Sequence, residues 1–260
     1  MLKFSANLSL LFTELDLIDR FKAAKDCGFE AVEIQFPYAL AAEQIQQQLI
    51  TNQLELVLFN VAADDLLQGG EGLACVPEKQ ALFKQALAQC KAYAEILQPE
   101  AINILPGQCK NPARRQAYRE TFKSNLSLAL ASFSPLGIKT VFEAINVMDM
   151  PDFIIHNGQQ MLEIMRQMND PMLLMQYDIY HMHKMNEDVV AFLAQYSDKI
   201  GHIQFADDPG RAQPGSGSID FKAIFSQIEK SGYRGWTGAE YNPSEDTLQS
   251  LDWFQRSLAD

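Results

Sequence analysis

The chain lacks the features that mark membrane-spanning and nucleic-acid-binding proteins. No stretch approaches the roughly 18 consecutive apolar residues that a membrane-spanning helix needs. No basic run offers a footprint for a phosphate backbone, and 21 Lys+Arg against 33 Asp+Glu give a net charge of -12. These absences predict a protein without a membrane span or a nucleic-acid partner, and they favour a small soluble substrate.

Cysteine is scarce, and its spacing is uninformative for metal binding. The chain has four cysteines, Cys27, Cys75, Cys90 and Cys109. They form no CxxC pair, so neither a zinc ribbon nor a disulfide framework is predicted. The start, MLKFSANLSLLF, meets acidic residues at once and lacks the apolar core and cleavage site of an export signal. We therefore expect a cytoplasmic protein with reduced thiols.

Short apolar runs rich in Val, Ile and Phe alternate with amphipathic segments of helical length, which is typical of repeated βα units and a parallel sheet. The predicted strands lie near residues 3–8, 29–36, 54–60, 100–105, 138–143, 172–178, 200–206 and 235–241. The predicted helices lie near residues 14–27, 41–52, 78–97, 112–134, 158–169, 185–196, 219–230 and 245–258.

Eight such pairs in 260 residues predict one (β/α)8 TIM-barrel domain covering 1–260. A doubly wound sheet would normally carry a glycine-rich phosphate turn after its first strand, and here that turn is NLSLLF, without glycine. Two long strand-to-helix connections, 61–77 and 207–218, would lie on the catalytic face of a barrel and are candidates for substrate-covering segments. Plain solvent-exposed loops are the alternative.

Oxygen-bearing side chains end four successive predicted strands: Glu143, Asp178, Gln204 and Glu240. Strand ends of a barrel converge on one cavity, where clustered carboxylates repel one another unless a cation or a shared proton compensates them. A single strand-end carboxylate is often only a helix cap or a loop ion pair. Four in register on consecutive strands instead predict a site for a hard divalent ion.

Other polar residues surround this set. His181 is expected at the start of the loop after Asp178, where it could bind a substrate oxygen or serve as a structural histidine. Arg211 in the second long loop is the best-placed cation for an anionic substrate, with a surface arginine as the alternative. His202 shares a strand face with Gln204 one layer deeper, which predicts a supporting role. Two strand residues, Glu33 and Asn7, could line the cavity.

At these residues the chain resembles the hydroxypyruvate isomerases, which belong to the sugar isomerase/epimerase group of xylose isomerase-like TIM barrels. The resemblance covers nearly the whole length and is densest in FEAINVMDMP, QYDIYHMHKM, DKIGHIQFADDPGRAQPGSGSIDF and GWTGAEY. It implies interconversion of hydroxypyruvate and tartronate semialdehyde, with Glu143 and Glu240 as the catalytic pair. It also implies that these two glutamates bind Mg²⁺ or Mn²⁺ together with Asp178 and Gln204, and that His181 and Arg211 contact the substrate.

The chain departs from the family pattern at several positions that bear on the substrate. Ala144 stands where proline is common, Asp152 where glycine is common, and Asn242 where the family often has a cation. The Glu-Arg-Gly of the third loop becomes Glu71 followed directly by Gly72. Isomerisation of 2-oxo-tetronate, epimerisation of a ketose, a non-catalytic ligand-binding barrel and an endonuclease IV-like nuclease remain the alternatives.

Overall fold

Eight parallel strands close into a barrel in the order in which they occur along the chain, which confirms the predicted (β/α)8 fold. The computed structural model describes residues 2–259, with side chains up to position 255. The strands are β1 Lys3–Asn7, β2 Ala31–Ile34, β3 Glu55–Asn60, β4 Ala101–Ile104, β5 Lys139–Glu143, β6 Leu173–Asp178, β7 Ile200–Phe205 and β8 Trp236–Ala239. The helices are α1 Leu17–Asp26, α2 Ala42–Asn52, α3 Gln80–Leu97, α4 Arg115–Phe133, α5 Gly158–Met168, α6 Ile179–Lys184, α7 Val189–Tyr196, α8 Phe221–Lys230 and α9 Asp252–Ala259.

The barrel closes where β1 pairs with β8, with Ser5 opposite Gly238, while Ser5 also lies opposite Ala31 of β2. Because all strands run the same way, their carboxyl ends form one rim, and every strand-to-helix connection leaves from that rim. Side chains two positions apart on a strand point to the same side. This periodicity decides which residues reach the interior.

The amino-terminal half of the barrel interior is apolar. A separate hydrophobic cluster fills it, formed by Ala31, Val57, Leu58, Ala101, Val141 and Trp236. Moving up the same strand faces, Val141 is followed by Glu143 and Leu174 by Gln176, so polar groups begin one layer above the apolar floor. The floor closes the cavity from below and confines its chemistry to the carboxyl-terminal rim.

One short helix, α6, lies where a loop was predicted. Asp178 ends β6 and caps this helix, because its Oδ1 accepts the backbone N–H groups of Tyr180 (2.8 Å) and His181 (3.4 Å). The next helix was expected over 185–196, but α7 begins at Val189, where Asp188 caps it through the N–H of Ala191.

The last helix was expected over 245–258 and begins only at Asp252, after a short 3₁₀ turn at Gln249–Leu251. All four cysteines are free thiols. Among the described residues, none of the helices combines the length and hydropathy that crossing a bilayer requires.

Candidate active site

The four predicted strand-end side chains lie together at the carboxyl-terminal rim. Glu143 and Asp178 end β5 and β6, Gln204 is the penultimate residue of β7, and Glu240 follows β8 directly. Each is buried, with at most 4% of its surface exposed. A cavity of about 150 Å³ opens above them and is reached by Glu143 and Glu240.

The cavity combines acidic groups with an apolar wall. Its charged lining residues are Glu143, Asp149, Arg211 and Glu240. Its apolar lining residues are Phe36, Leu67, Leu105, Ile145 and Met150. Leu67 belongs to the long 61–77 connection, so this predicted loop does reach the cavity. Arg211 is the one cation among these lining residues.

Glu143, Asp178 and His181 form the tightest polar group. Their potential ligand atoms all lie within 4.8 Å of one another. His181 Nε2 is 3.5 Å from Asp178 Oδ2 and 3.7 Å from Glu143 Oε1, both longer than an ordinary hydrogen bond. Asp178 Oδ2 is buried without a hydrogen-bond partner, because the cap of α6 uses Oδ1. This oxygen is left with two longer contacts, to His181 Nε2 and Arg211 Nη2, both at 3.5 Å.

Gln204 is held by its amide nitrogen. Its Nε2 donates to Glu33 Oε1 at 2.7 Å, and its Oε1 accepts from Gln176 Nε2 at 2.6 Å. Gln176 Nε2 also donates to Glu143 Oε2 at 2.9 Å. A chain of amides thus connects Glu143 on β5 to Gln204 on β7 across the rim.

Glu240 is fixed by three donors. Its Oε1 accepts from Asn7 Nδ2 at 3.0 Å and from Gln35 Nε2 at 2.9 Å. Its Oε2 contacts Arg211 Nη2 at 2.5 Å, and the same guanidinium nitrogen lies 3.5 Å from Asp178 Oδ2. Arg211 is therefore the cation that lies between the carboxylates of β6 and β8.

Below this rim, Glu33 is fully buried and accepts hydrogen bonds from four side chains. The donors are Ser5 Oγ at 3.0 Å, Asn7 Nδ2 at 2.9 Å, His202 Nε2 at 2.7 Å and Gln204 Nε2 at 2.7 Å. Although burial opposes ionisation, His202, Gln204 and Asn7 lower the pKa of Glu33. His202 thus lies one layer below Gln204 and supports it through Glu33, as predicted.

Gly238 makes room for this buried carboxylate. A Cβ atom at position 238 would lie 2.2 Å from Glu33 Oε2, closer than any real contact. The glycine of the GWTGAEY segment is therefore required by the close approach of Glu33.

The acidic groups at the rim bind protons more tightly than free carboxylates. Burial, together with the charges of Glu240 and Asp178, raises the pKa of Glu143 well above its usual value. Burial raises the pKa of Asp178 to about 7 against the opposing effect of Arg211, and burial also raises the pKa of Glu240. His181 shows the opposite sign, since burial and then Arg211 lower its pKa well below the usual range. Burial is the largest cause at all three carboxyl groups, and Arg211 opposes it at each of them.

The 207–218 connection is folded around one buried carboxylate. Asp207 Oδ1 accepts the backbone N–H groups of residues 208 and 219, and Oδ2 accepts those of residues 215 and 217, all at 2.9–3.0 Å. Arg211 leaves this loop toward the site, and its backbone oxygen accepts the N–H of Asn242 at 2.8 Å. The 207–218 connection thereby positions the guanidinium of Arg211 at the cavity.

Several residues of the site were not singled out from the sequence. Gln176 lies two positions before Asp178 on β6, so the period of two along a strand could have indicated that both side chains share a face. Asn146 and Asp149 lie in the loop after β5, and their contacts with α6 depend on how that loop folds. No local signal marks those two residues.

A larger surface depression of about 930 Å³ lies at the other end of the barrel. It is bordered by the end of α5, the start of β6 and the segment before β7. It contains none of the predicted site residues. Residues at the amino-terminal end of a TIM barrel contribute to stability, whereas active sites lie at the carboxyl-terminal end, so we do not assign this depression as the active site.

The similarity to known proteins extends over almost the whole chain. A family model described as xylose isomerase-like TIM barrel matches residues 21–257. Hydroxypyruvate isomerase of Escherichia coli (strain K12) is 38% identical over 253 residues, covering 97% of this chain and 98% of that protein. A 2-oxo-tetronate isomerase of Pectobacterium atrosepticum is 34% identical and covers 97% of both chains. A crystal structure from Brucella melitensis, described as AP endonuclease, family 2, is 32% identical with a TM-score of 0.94 and covers 98% of this chain and 99% of that one.

Proposed function

Since this chain belongs to the xylose isomerase-like TIM-barrel family and is an isomerase of the hydroxypyruvate and 2-oxo-tetronate isomerase group, we propose that it interconverts hydroxypyruvate and tartronate semialdehyde. The observation that carries the proposal is the pair of buried glutamates, Glu143 and Glu240, which reach one small cavity from opposite sides of Asp178. Two carboxyl groups with raised pKa values are suited to taking and returning protons near neutral pH.

Buried carboxylates at the rim suit a hard divalent cation, because Glu143 and Asp178 place potential ligand oxygens within 4.8 Å of each other. Asp178 Oδ2 has no hydrogen-bond partner, and burial together with mutual repulsion raises the pKa of the neighbouring Glu143, as expected where a cation is needed to balance charge. We propose that Glu143, Asp178, Gln204 and Glu240 hold Mg²⁺ or Mn²⁺. A bound ion would supply Lewis acidity that stabilises negative charge developing on substrate oxygens. Activity should disappear on chelation and return with either ion, whereas unchanged rates in a metal-free preparation would remove this part of the proposal.

The reaction needs no redox cofactor, because the two compounds are isomers. A proton leaves C3 of hydroxypyruvate, a proton joins C2, and the hydroxyl proton moves from the C3 oxygen to the C2 oxygen. One of the two glutamates, ionised at the start, removes the carbon-bound proton and leaves an enediolate. The other glutamate, protonated at the start, donates a second proton to the adjacent carbon, and exchange with solvent restores both groups. Each such proton transfer contributes a factor of about 10² to 10⁴ to the rate.

His181 and Arg211 are proposed to bind the substrate. His181 Nε2 faces the space above Glu143 and Asp178, where it can donate to a substrate oxygen. Arg211 lies at the cavity with about a quarter of its side chain exposed, so its guanidinium can donate hydrogen bonds to a substrate carboxylate while one nitrogen stays on Glu240. The apolar wall then faces the carbon skeleton.

A direct assay tests the proposal. Purified protein is incubated with hydroxypyruvate in D₂O, and NMR follows the appearance of the aldehyde hydrate and of deuterium at carbon. We expect tartronate semialdehyde with solvent deuterium at C2. Absence of product with the metal-loaded protein at millimolar hydroxypyruvate would contradict the assignment.

Isomerisation of 2-oxo-tetronate is the second candidate, because the chain is also similar to a protein of that name. That substrate is one carbon longer and would have to use the same cavity of about 150 Å³. The same NMR assay run with both acids and with a free ketose separates the candidates by kcat/KM. A higher kcat/KM for the four-carbon acid would replace hydroxypyruvate as the substrate.

The Brucella protein described as AP endonuclease raises a nuclease as a further alternative. Binding DNA requires cations that neutralise phosphates, whereas this chain has a net charge of -12 and one cation at its cavity. We therefore expect no incision of an abasic-site duplex under conditions that support isomerisation, and incision that co-purifies with the protein would contradict this.

A further inference from the structure

Asn146, in the loop after β5, is fully buried, and its amide is held in one orientation. Its Oδ1 accepts the backbone N–H groups of Met148 at 3.1 Å and Asp149 at 2.8 Å. Its Nδ2 faces Asp149 Oδ2 at 2.9 Å and His181 Nδ1 at 2.7 Å. A flipped amide would set its NH₂ against two backbone donors and its oxygen against a carboxylate. The backbone and Asp149 therefore fix which atom faces His181.

The orientation of Asn146 determines the protonation pattern of His181. Since an amide NH₂ only donates, His181 Nδ1 must accept and cannot carry a proton. A neutral ring then has its hydrogen on Nε2, and a doubly protonated ring would place two donors 2.7 Å apart. The Nε2–H faces the cavity, and its nearest carboxylate oxygens at 3.5 and 3.7 Å are too distant for a direct hydrogen bond.

This pattern is the reverse of that found around metal-bound histidines. A histidine that ligates a metal through one nitrogen donates the other ring N–H to a carboxylate, a carbonyl or a water. The group that contacts Nδ1 of His181 is instead a donor, the amide nitrogen of Asn146. The proximity of His181 to Glu143 and Asp178 therefore does not make it a ligand, although the three groups lie close enough to hold an ion.

We propose that Asn146 is a positioning residue that fixes His181 in the Nε2–H tautomer. His181 then serves as a hydrogen-bond donor toward the bound substrate and is prevented from ligating the metal ion. The part that concerns the substrate rests on the proposed isomerase function, whereas the tautomer does not. A ligand set restricted in this way to oxygen atoms favours hard ions over zinc.

The surrounding contacts hold Asn146 in place. Asp149 Oδ2 also accepts from Tyr180 OH at 2.7 Å, and its Oδ1 accepts from Lys184 Nζ at 2.8 Å. Although burial opposes ionisation, the donors around Asp149, with Asn146 first among them, lower its pKa to about 2. An ionised Asp149 requires the donor end of the Asn146 amide, which leaves that same nitrogen facing His181.

The test measures the tautomer directly by ¹⁵N–¹H correlation of ring-labelled histidine, with His181 assigned through His181→Gln. In the wild type at pH 7 without metal we expect His181 as a neutral ring with the proton on Nε2. A proton on Nδ1, or a doubly protonated ring, overturns the proposal, and the tautomer itself is read from the wild-type protein.

A swap variant then inverts the contact. Asn146→Asp combined with Asp149→Asn keeps the net charge and places a carboxylate against His181 Nδ1. We expect the proton to move to Nδ1, and we expect Zn²⁺ affinity, measured by competition with a chelating dye, to rise by about tenfold or more while Mg²⁺ affinity stays within about threefold. The matched control is Asn157→Asp, since Asn157 caps α5 and aspartate is an equally good cap.

Catalysis is the third measurement. In the swap variant we expect kcat for hydroxypyruvate to fall by about 10- to 100-fold, and in Asn157→Asp to stay unchanged. An unchanged tautomer in a folded swap variant, or an unchanged kcat with the tautomer inverted, would contradict the positioning role. If the wild type shows the Nε2–H tautomer but no isomerase activity, the proposed function fails while the assignment of Asn146 stands.

Discussion

Replacing Asp207 by asparagine should detach Arg211 from the site without unfolding the barrel. Each carboxylate oxygen of Asp207 accepts two backbone N–H groups, Oδ1 those of residues 208 and 219 and Oδ2 those of residues 215 and 217. Asparagine has one acceptor oxygen. Whichever way the amide is turned, its NH₂ would face two backbone donors, so two of the four bonds are lost.

The magnitude follows from those two bonds. A buried donor left without a partner costs about 1–3 kcal/mol. Gly215 and Gly217 are exposed, so water can replace part of the hydrogen bonding that their N–H groups lose. For two lost bonds we therefore expect the folded loop to be destabilised by about 2–4 kcal/mol. At 1.4 kcal/mol per factor of ten, this shifts the equilibrium between the folded and open loop by about 30- to 1000-fold.

The consequence should be local. We expect kcat/KM for hydroxypyruvate to fall by about tenfold or more because Arg211 is no longer held near Glu240. Tm should fall by less than the roughly 4–16 °C that a global loss of about 2–4 kcal/mol would produce, because the loop opens before the barrel unfolds. Hydrogen exchange should show loss of protection at the amides of residues 215, 217 and 219, with the strand amides unchanged.

Asp208→Asn is the matched control, since it removes the same charge at the adjacent residue. The Asp208 side chain is about a quarter exposed, and its ion-pair contact is Lys184 at 3.9 Å. We expect kcat/KM of this control within about threefold of wild type. Retained protection of the loop amides in Asp207→Asn, or equal kinetic effects in both variants, would refute the account of the loop.

Three further predictions concern the buried polar groups. Gly238→Ala forces Glu33 from its position, because the new methyl would meet Oε2 at 2.2 Å; chemical denaturation should show a loss of about 2–5 kcal/mol, and a loss below 1 kcal/mol would contradict the packing argument. Arg211→Met removes the one cation that lines the cavity and should lower kcat/KM by about 10- to 100-fold in steady-state kinetics. A decrease of less than threefold would contradict the proposed contact between Arg211 and the substrate. Because the pKa of Asp178 is raised to about 7 in the folded protein, the free energy of unfolding should fall as pH rises from about 4 to 7. Mg²⁺ or Mn²⁺ should therefore raise Tm at pH 8 but hardly at pH 5, and equal shifts of Tm at both pH values would contradict this.

The fold could be predicted because each βα unit has local chemistry that marks its ends. Gly28 and Gly137, for example, both adopt the positive φ that ends a helix before the next strand. Helix α6 could not be predicted in this way. An aspartate such as Asp178 is a common helix N-cap. Whether a strand-end aspartate caps a helix, binds an ion or does both depends on the neighbouring side chains at the rim of the barrel.

The four strand-end residues at the rim could be found from the sequence because period-two strands and a common rim bring them together. The hydrogen bonds that orient them could not be found. Glu33 bonds His202 across 169 positions, and Asn146 meets His181 across 35. Such pairs form only after the barrel has closed, and no spacing in one sequence encodes them. Because of the departures at Asn242 and Gly72, the proposed binding of an anionic substrate rests on Arg211.

We propose that Glu143 and Glu240 share the proton transfers. Glu143→Gln and Glu240→Gln keep the shape of each side chain and remove its proton chemistry, so circular dichroism and Tm should stay close to wild type. In D₂O with hydroxypyruvate and Mg²⁺, we expect both variants to lose turnover by about 10²-fold or more, with no deuterium entering carbon in at least one of them. Retained deuterium exchange and turnover in both variants would contradict the claim.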